Sequence, residues 1–236
     1  GVFQGALFIS LFFMIARGVQ TLGIVIAVIL TKLSVIIPTL LSWVIYDDPM
    51  NGLRWAGVAL ALVAIVLLNL RSRGRHTPDE PEQQLKPRTR KLDKALLLAL
   101  VLFFGSATTD SVFKIFNAEY GSLMPKEVFV ITLFGVAGIL GQLMMWAQIA
   151  MGKMKFHWQG PIAGIILGVP NFFSIWFLLA GLEALKDGTV FFPINNVGQV
   201  LLAAVLGLVL YRERLSRYAQ IGIVVAILAV GFIAYR

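Results

Sequence analysis

Lys32 is the residue that a chain of this composition finds hardest to house. It lies about 17 Å along a long apolar run, close to the middle of a bilayer. A charge there costs about 2.5 to 3.5 kcal/mol on insertion scales and needs a partner, a water-filled cavity or an escape to the interface. Its chemistry at that depth is that of a cation holding a substrate carboxylate or another counter-ion; the blander account is a long side chain snorkelling to the interface. Asp110 and Lys114 are one helical turn apart and can pair on one face. They read either as a structural pair near the outer interface or as a coupling site, because a carboxylate in low dielectric can take up and release a proton in each cycle. Amides form the third group: Asn195, Asn196 and Gln199 follow Pro193, and Asn171 follows Pro170. Proline frees carbonyls in the preceding turn, and side-chain amides either satisfy these or face a ligand. Phe172, Phe191 and Phe192 would give such a site apolar walls.

The elements that must position these residues are membrane helices. The chain has 236 residues, of which 58% are hydrophobic and 14% charged, with a mean hydropathy of +0.85. An average soluble domain carries about 25% charged residues, so an ordinary soluble globular protein is excluded. Apolar runs broken by charge or turn residues fall at 2–16, 20–46, 53–70, 95–117, 127–150, 158–182, 189–211 and 218–235, which makes eight segments of bilayer-spanning length. All are predicted to be helices, since runs this long are not the short alternating strands of a barrel and lipid permits no third kind of spanning backbone. The stripes Gly160/Gly164/Gly168, Gly57/Ala61 and Gly222/Ala226 predict close helix packing.

Residues 71–94 hold eight basic and four acidic residues and three prolines, and read as a solvated linker between two halves. If the segments alternate in direction, fourteen basic residues fall on the side of this linker and four on the other. The positive-inside bias then predicts a cytoplasmic linker and an extracytoplasmic C-terminus, and it accounts for the net charge of +8 without nucleic acid as a partner. The first run meets Arg17 early and begins at Gly1 rather than Met, which reads as the middle of a protein. With no cysteine, there is no disulfide, thiolate nucleophile or cysteine metal site, and His76 and His157 both fall in polar stretches. No cofactor or metal is expected.

Sliding the chain against itself by 165 residues places 55–71 on 220–236, with Gly57 on Gly222, Ala61 on Ala226, Ala64 on Ala229, Tyr46 on Tyr211 and Arg71 on Arg236. Ser34 then meets Gln199, and at an offset of 167 Gln4 meets Asn171, which would set polar pairs about a pseudo-twofold axis. The matched copies are five segments apart, an odd number, so they run in opposite directions. That is the inverted repeat of a secondary transporter.

The stretches LTKLSVIIPTLLSWVIYDDPMNGLRWAGVALALVAIVLLN and FFPINNVGQVLLAAVLGLVLYRERLSRYAQIGIVVAILAVGFI resemble the close of each EamA-type repeat of the drug/metabolite transporter superfamily: a proline-bearing helix, an acidic turn and a glycine-bearing last helix. GSATTDSVFK and LGVPNFFSIWFLLAGLEAL are similar to the corresponding parts of a bacterial EamA-like branch. The resemblance implies two inverted repeats of five helices, a central cavity for small metabolites and residence in a bacterial inner membrane. On this reading residues 1–70 are the last three helices of a first repeat, 71–94 a basic cytoplasmic linker and 95–236 a complete second repeat, with two helices missing from the start. The superfamily is usually described with both termini inside, whereas the charge count puts this C-terminus outside.

No enzyme motif stands out: there is no HExxH and no GxSxG, and Gly152–Lys153 lacks the glycine pattern of a Walker A loop. The expectation is therefore a multi-pass secondary transporter of the cell membrane and not an enzyme. It moves a small metabolite, such as an amino acid or organic anion, with Lys32, Gln4, Ser34, Asn171, Asn195, Asn196 and Gln199 as its substrate site. Asp110 and Lys114 supply the coupling, with protons as coupling ion and lipid as the surrounding partner. The oligomeric state is left open. A membrane-embedded enzyme would need acidic residues clustered at one interface, for which Asp47, Asp48, Glu183 and Asp187 come closest. A non-transport assembly protein would turn its polar residues toward other helices.

Overall fold

In a computed structural model, residues 1–69, 92–152, 159–210 and 217–235 are described, and all regular structure among them is helical. The helices in chain order are α1 (Val2–Leu22), α2 (Ile24–Leu33), α3 (Ile36–Tyr46), α4 (Gly52–Asn69), α5 (Leu92–Ile115), α6 (Lys126–Ala150), α7 (Gln159–Leu185), α8 (Gly188–Leu210) and α9 (Arg217–Ala234). Seven stretches are long and apolar enough to cross a membrane, α2 and α3 counting as one over Ile26–Tyr46, and α4 is a shorter apolar helix over Gly52–Leu68. The chain is thus an all-helical, multi-pass membrane protein. The linker expected at 71–94 lies outside the described residues except for its last three positions, which open α5.

Two boundaries differ from the sequence reading. Arg17 does not end the first helix, because nothing at 17–22 breaks the backbone; the break comes at Gly23, whose φ of 87° suits glycine alone. The run at 20–46 is interrupted at Ser34–Val35. Pro38 has no N–H to return to the Ser34 carbonyl, which instead accepts from Ile37 at 3.1 Å, a tighter i to i+3 turn. At the far end of α5 the chain widens into a π-helical turn over Phe116–Tyr120.

Packing centres on α4 against α9, the most extensive contact between helices. A Cβ on Gly57 would lie 2.9 Å from the Ile233 nitrogen and 3.1 Å from the Ala229 carbonyl, and one on Gly222 would lie 3.0 Å from the Leu68 nitrogen. Only glycine allows backbones to come so near. Ala61, Ala64, Ala226 and Ala229 are buried in the same seam, with Val58, Ile65 and Ile233, and α8 closes over it with Val197 and Val200. Elsewhere α1 packs on α5 and α6, and α3 lies against α5 and α8. Helix α7 touches α6 and α8 and turns Ile165, Ile166, Leu167, Phe173 and Phe177 outward, as lipid-facing side chains should be. The glycine ridge of α7 does not pack within the described chain: no atom lies within 4 Å of a Cβ built on Gly160, Gly164 or Gly168.

Candidate functional site

Lys32 occupies the last turn of α2, where the carbonyl end of the helix dipole favours a cation. The helix ends there because of the Pro38-induced turn, so the break that shortens α2 also creates the electrostatic seat for its lysine. Thr31 and Ser34 finish the turn by donating their hydroxyls to the Val28 carbonyl at 2.9 Å and the Thr31 carbonyl at 2.7 Å. Ser34 is buried in this local role. The Lys32 ammonium is half-buried and donates to Gln199 Oε1 on α8 in a short hydrogen bond. Asp110, half-buried on α5, lies within electrostatic reach of Lys32 without a direct ion pair between them. Three helices thus bring one cation, one anion and one amide together.

The remaining amides divide. Asn196 is buried and donates to the Phe192 carbonyl at 3.1 Å, beside Pro193. Asn195 and Asn171 are half-buried, and neither makes a side-chain hydrogen bond among the described residues. Gln4 makes no hydrogen bond with Lys32 among the described residues. It is buried between α1 and α5, donating from Nε2 to the Thr109 carbonyl at 3.3 Å, with its Oε1 left without a partner. Phe191 and Phe192 are core residues packed on Val35 and Leu182, while Phe172 stacks in an aromatic group with Phe134, their ring centres 5.6 Å apart.

Lys114 does not pair with Asp110. Their spacing permits it, yet Lys114 has better partners: Asp48 Oδ2 at 2.6 Å, the Lys186 carbonyl at 3.2 Å and the Tyr46 ring 5.2 Å from its centre. It belongs to a polar cluster at the end of the bundle where α3 meets α4 and α7 meets α8. There Arg54 Nη1 donates to Asp187 Oδ2 at 2.9 Å and to the Pro49 carbonyl. Asp187 Oδ1 accepts from the Thr189 hydroxyl at 2.6 Å and from the Val190 N–H at 3.3 Å, capping α8. Asn51 caps α4 by accepting from the Arg54 N–H at 2.9 Å. Gly188 donates its N–H to Asp48 Oδ2 at 2.7 Å. The sequence reading had placed Asp48 and Asp187 together only as weak candidates for an enzyme; their neighbours Arg54 and Thr189 were missed, and the Asn51 and Asp187 cap positions were the available signal.

At the same end, Lys126 pairs with Glu183 at 2.7 Å and Trp176 donates to Glu127 at 3.0 Å. These border a pocket of about 230 Å³ under the π-helical turn. Among the described residues no group of His, Cys, Asp and Glu could hold a metal ion.

No protein-family model matches the chain. It is similar to an uncharacterized protein of Haemophilus influenzae, 25% identical over 232 residues that cover 98% of this chain and 73% of that protein.

Proposed function

We propose that the protein is a secondary transporter that moves a small metabolite bearing an anionic group, such as an amino acid or organic anion, through a site centred on Lys32, Gln199 and Asp110. The observation that carries this reading is a lysine at membrane depth whose contact partner is a neutral amide. A purely structural lysine is expected to end in an ion pair, as Lys114 does. Lys32 instead has no direct ion pair among the described residues, which leaves its ammonium open to an arriving anion, at a broken helix whose end faces the site, an arrangement that recurs in transporters. Asn171 and Asn195 supply uncommitted polar groups for the rest of the substrate. Asp110 supplies the coupling by exchanging a proton as Lys32 is neutralised and exposed in turn.

The inverted repeat and the membership in an EamA-like family belong to the same proposal. What supports them is that positions one repeat apart make equivalent contacts: Gly57 closes on Ile233 and Gly222 on Leu68, each residue and its counterpart being 165 positions apart. The experiment is metabolite movement in vesicles with a substrate panel, with and without a proton gradient. Lys32→Met is expected to lower it at least tenfold in folded protein, and Asp110→Asn to leave movement down a gradient while removing its response to the proton gradient. Wild-type rates and proton response in both variants would sink the assignment.

A further inference from the structure

The polar cluster at the α3–α4 and α7–α8 turns is more than a tidy end to the bundle. Both of its ion pairs cross from the first 69 residues to the second half of the chain: Asp48 to Lys114, and Arg54 to Asp187. Both are withdrawn from solvent, with side-chain exposures of 3% for Lys114, 11% for Asp48, 8% for Arg54 and 20% for Asp187. They fasten the α3–α4 turn to the end of α5 and the start of α4 to the α7–α8 turn. Gly188 carries the closest approach, since a Cβ there would fall 2.1 Å from Ser42 Oγ. The closure is also incompletely satisfied, because Arg54 Nε and Ser42 Oγ are buried with no hydrogen-bond partner among the described residues. Water admitted on opening would satisfy both, which narrows the difference between the shut and open states.

Lys114 is four residues beyond Asp110 on α5, so the cluster begins one helical turn from the polar site. We propose that the Asp48–Lys114 and Arg54–Asp187 pairs are a latch that shuts the Lys32–Gln199–Asp110 site at this end of the bundle. The latch deepens the transport reading and rests on it. Opening requires that the α3–α4 turn part from α5 and from the α7–α8 turn, which breaks both pairs and the Gly188–Asp48 hydrogen bond together. The third ion pair at this end, Lys126–Glu183, joins α6 to α7 within the second half and is no part of it.

The chain has no cysteine, so a single Asn195→Cys thiol in the site reports access without background. Its labelling by a membrane-impermeant cationic methanethiosulfonate is timed in right-side-out and inside-out vesicles, with folded protein confirmed by gel filtration in detergent. Lys114→Met and the isosteric Asp187→Asn are each expected to speed labelling at least tenfold from the latch side and not from the other. Unchanged labelling in folded Asp187→Asn protein, or an equal rise from both sides, would overturn the latch. Metabolite movement, measured in parallel in vesicles whose protein keeps Asn195, separates the two ideas. If Lys32→Met stops movement while the latch variants leave labelling unchanged, the latch alone fails. If the latch variants open the thiol in a chain that moves no metabolite, the latch holds and the transport reading fails.

Discussion

Two of the bundle's lysines, Lys32 and Lys114, lie within apolar segments and are made tolerable in different ways. Lys114 is neutralised outright by Asp48 and further held by a carbonyl and a ring face, so removing it leaves a buried carboxylate unpaired. Lys114→Met should therefore cost about 3 to 5 kcal/mol of stability, readable as a lower midpoint of thermal unfolding in detergent. Lys32 is held by a helix end and a neutral amide, with Asp110 in electrostatic reach, so its replacement by Met breaks no direct ion pair. Lys32→Met should unfold at or above the parent temperature even though it moves no metabolite; a strongly destabilised Lys32→Met would show that the ammonium is a structural strut. Lys32 was legible in the sequence because depth alone marks a mid-membrane charge. The Asp110–Lys114 pairing was misread because a spacing of four residues reports only what one helix can offer. The neighbours that prevail, Asp48 for Lys114 and Lys32 near Asp110, arrive from the α3–α4 turn and from α2, and no local pattern encodes them.

At the level of elements, three glycine stripes that look alike in sequence have different fates. Those of α4 and α9 meet backbone, and that of α7 meets nothing within the described chain. Gly57→Leu or Gly222→Leu should force the α4–α9 seam apart and cost about 1 to 3 kcal/mol or more. Gly164→Leu should change stability by no more than about 0.5 kcal/mol, as for a surface substitution. Thermal unfolding of the three variants side by side checks the contrast, and equal losses in all three would mean that α7 is packed against something. A small-residue stripe announces that a neighbour fits, whereas the identity and presence of that neighbour are tertiary facts. The interruption at Ser34–Val35 was visible in part: Pro38 stood in the sequence, but in a run so apolar it read as one more helical residue. The π-helical turn at Phe116–Tyr120 had no sequence signal, since it differs from an ordinary helix end only in which carbonyl each N–H selects.

For the whole molecule, the all-helical, multi-pass character came through from hydropathy because lipid leaves the backbone few choices, whereas of the eight segments expected seven are long and apolar enough to cross a membrane and the one at 53–70 is a shorter apolar helix. Hydrogen bonds from Gly188 to Asp48 and from Thr189 to Pro49 bring the α3–α4 and α7–α8 turns to one end of the bundle. From the charge asymmetry we propose that this end is extracytoplasmic and the basic linker cytoplasmic. A Thr77→Cys thiol should accordingly react with an impermeant reagent in inside-out vesicles and stay unmodified in intact cells; labelling from outside the cell would reverse the orientation. One feature of the fold also limits how the molecule can change shape. Helix α4 comes from the first half of the chain and α9 from the second, and they are joined near both ends, by Gly57 on Ile233 and by Gly222 on Leu68. The pair is a keel common to both halves, so they cannot part as two rigid bodies without tearing the best-packed seam in the protein. Shape change has to come from flexure within each half, at the points where the helical ladder is already interrupted: Gly23, the Ser34–Val35 turn, Pro170, Pro193 and the π-helical turn.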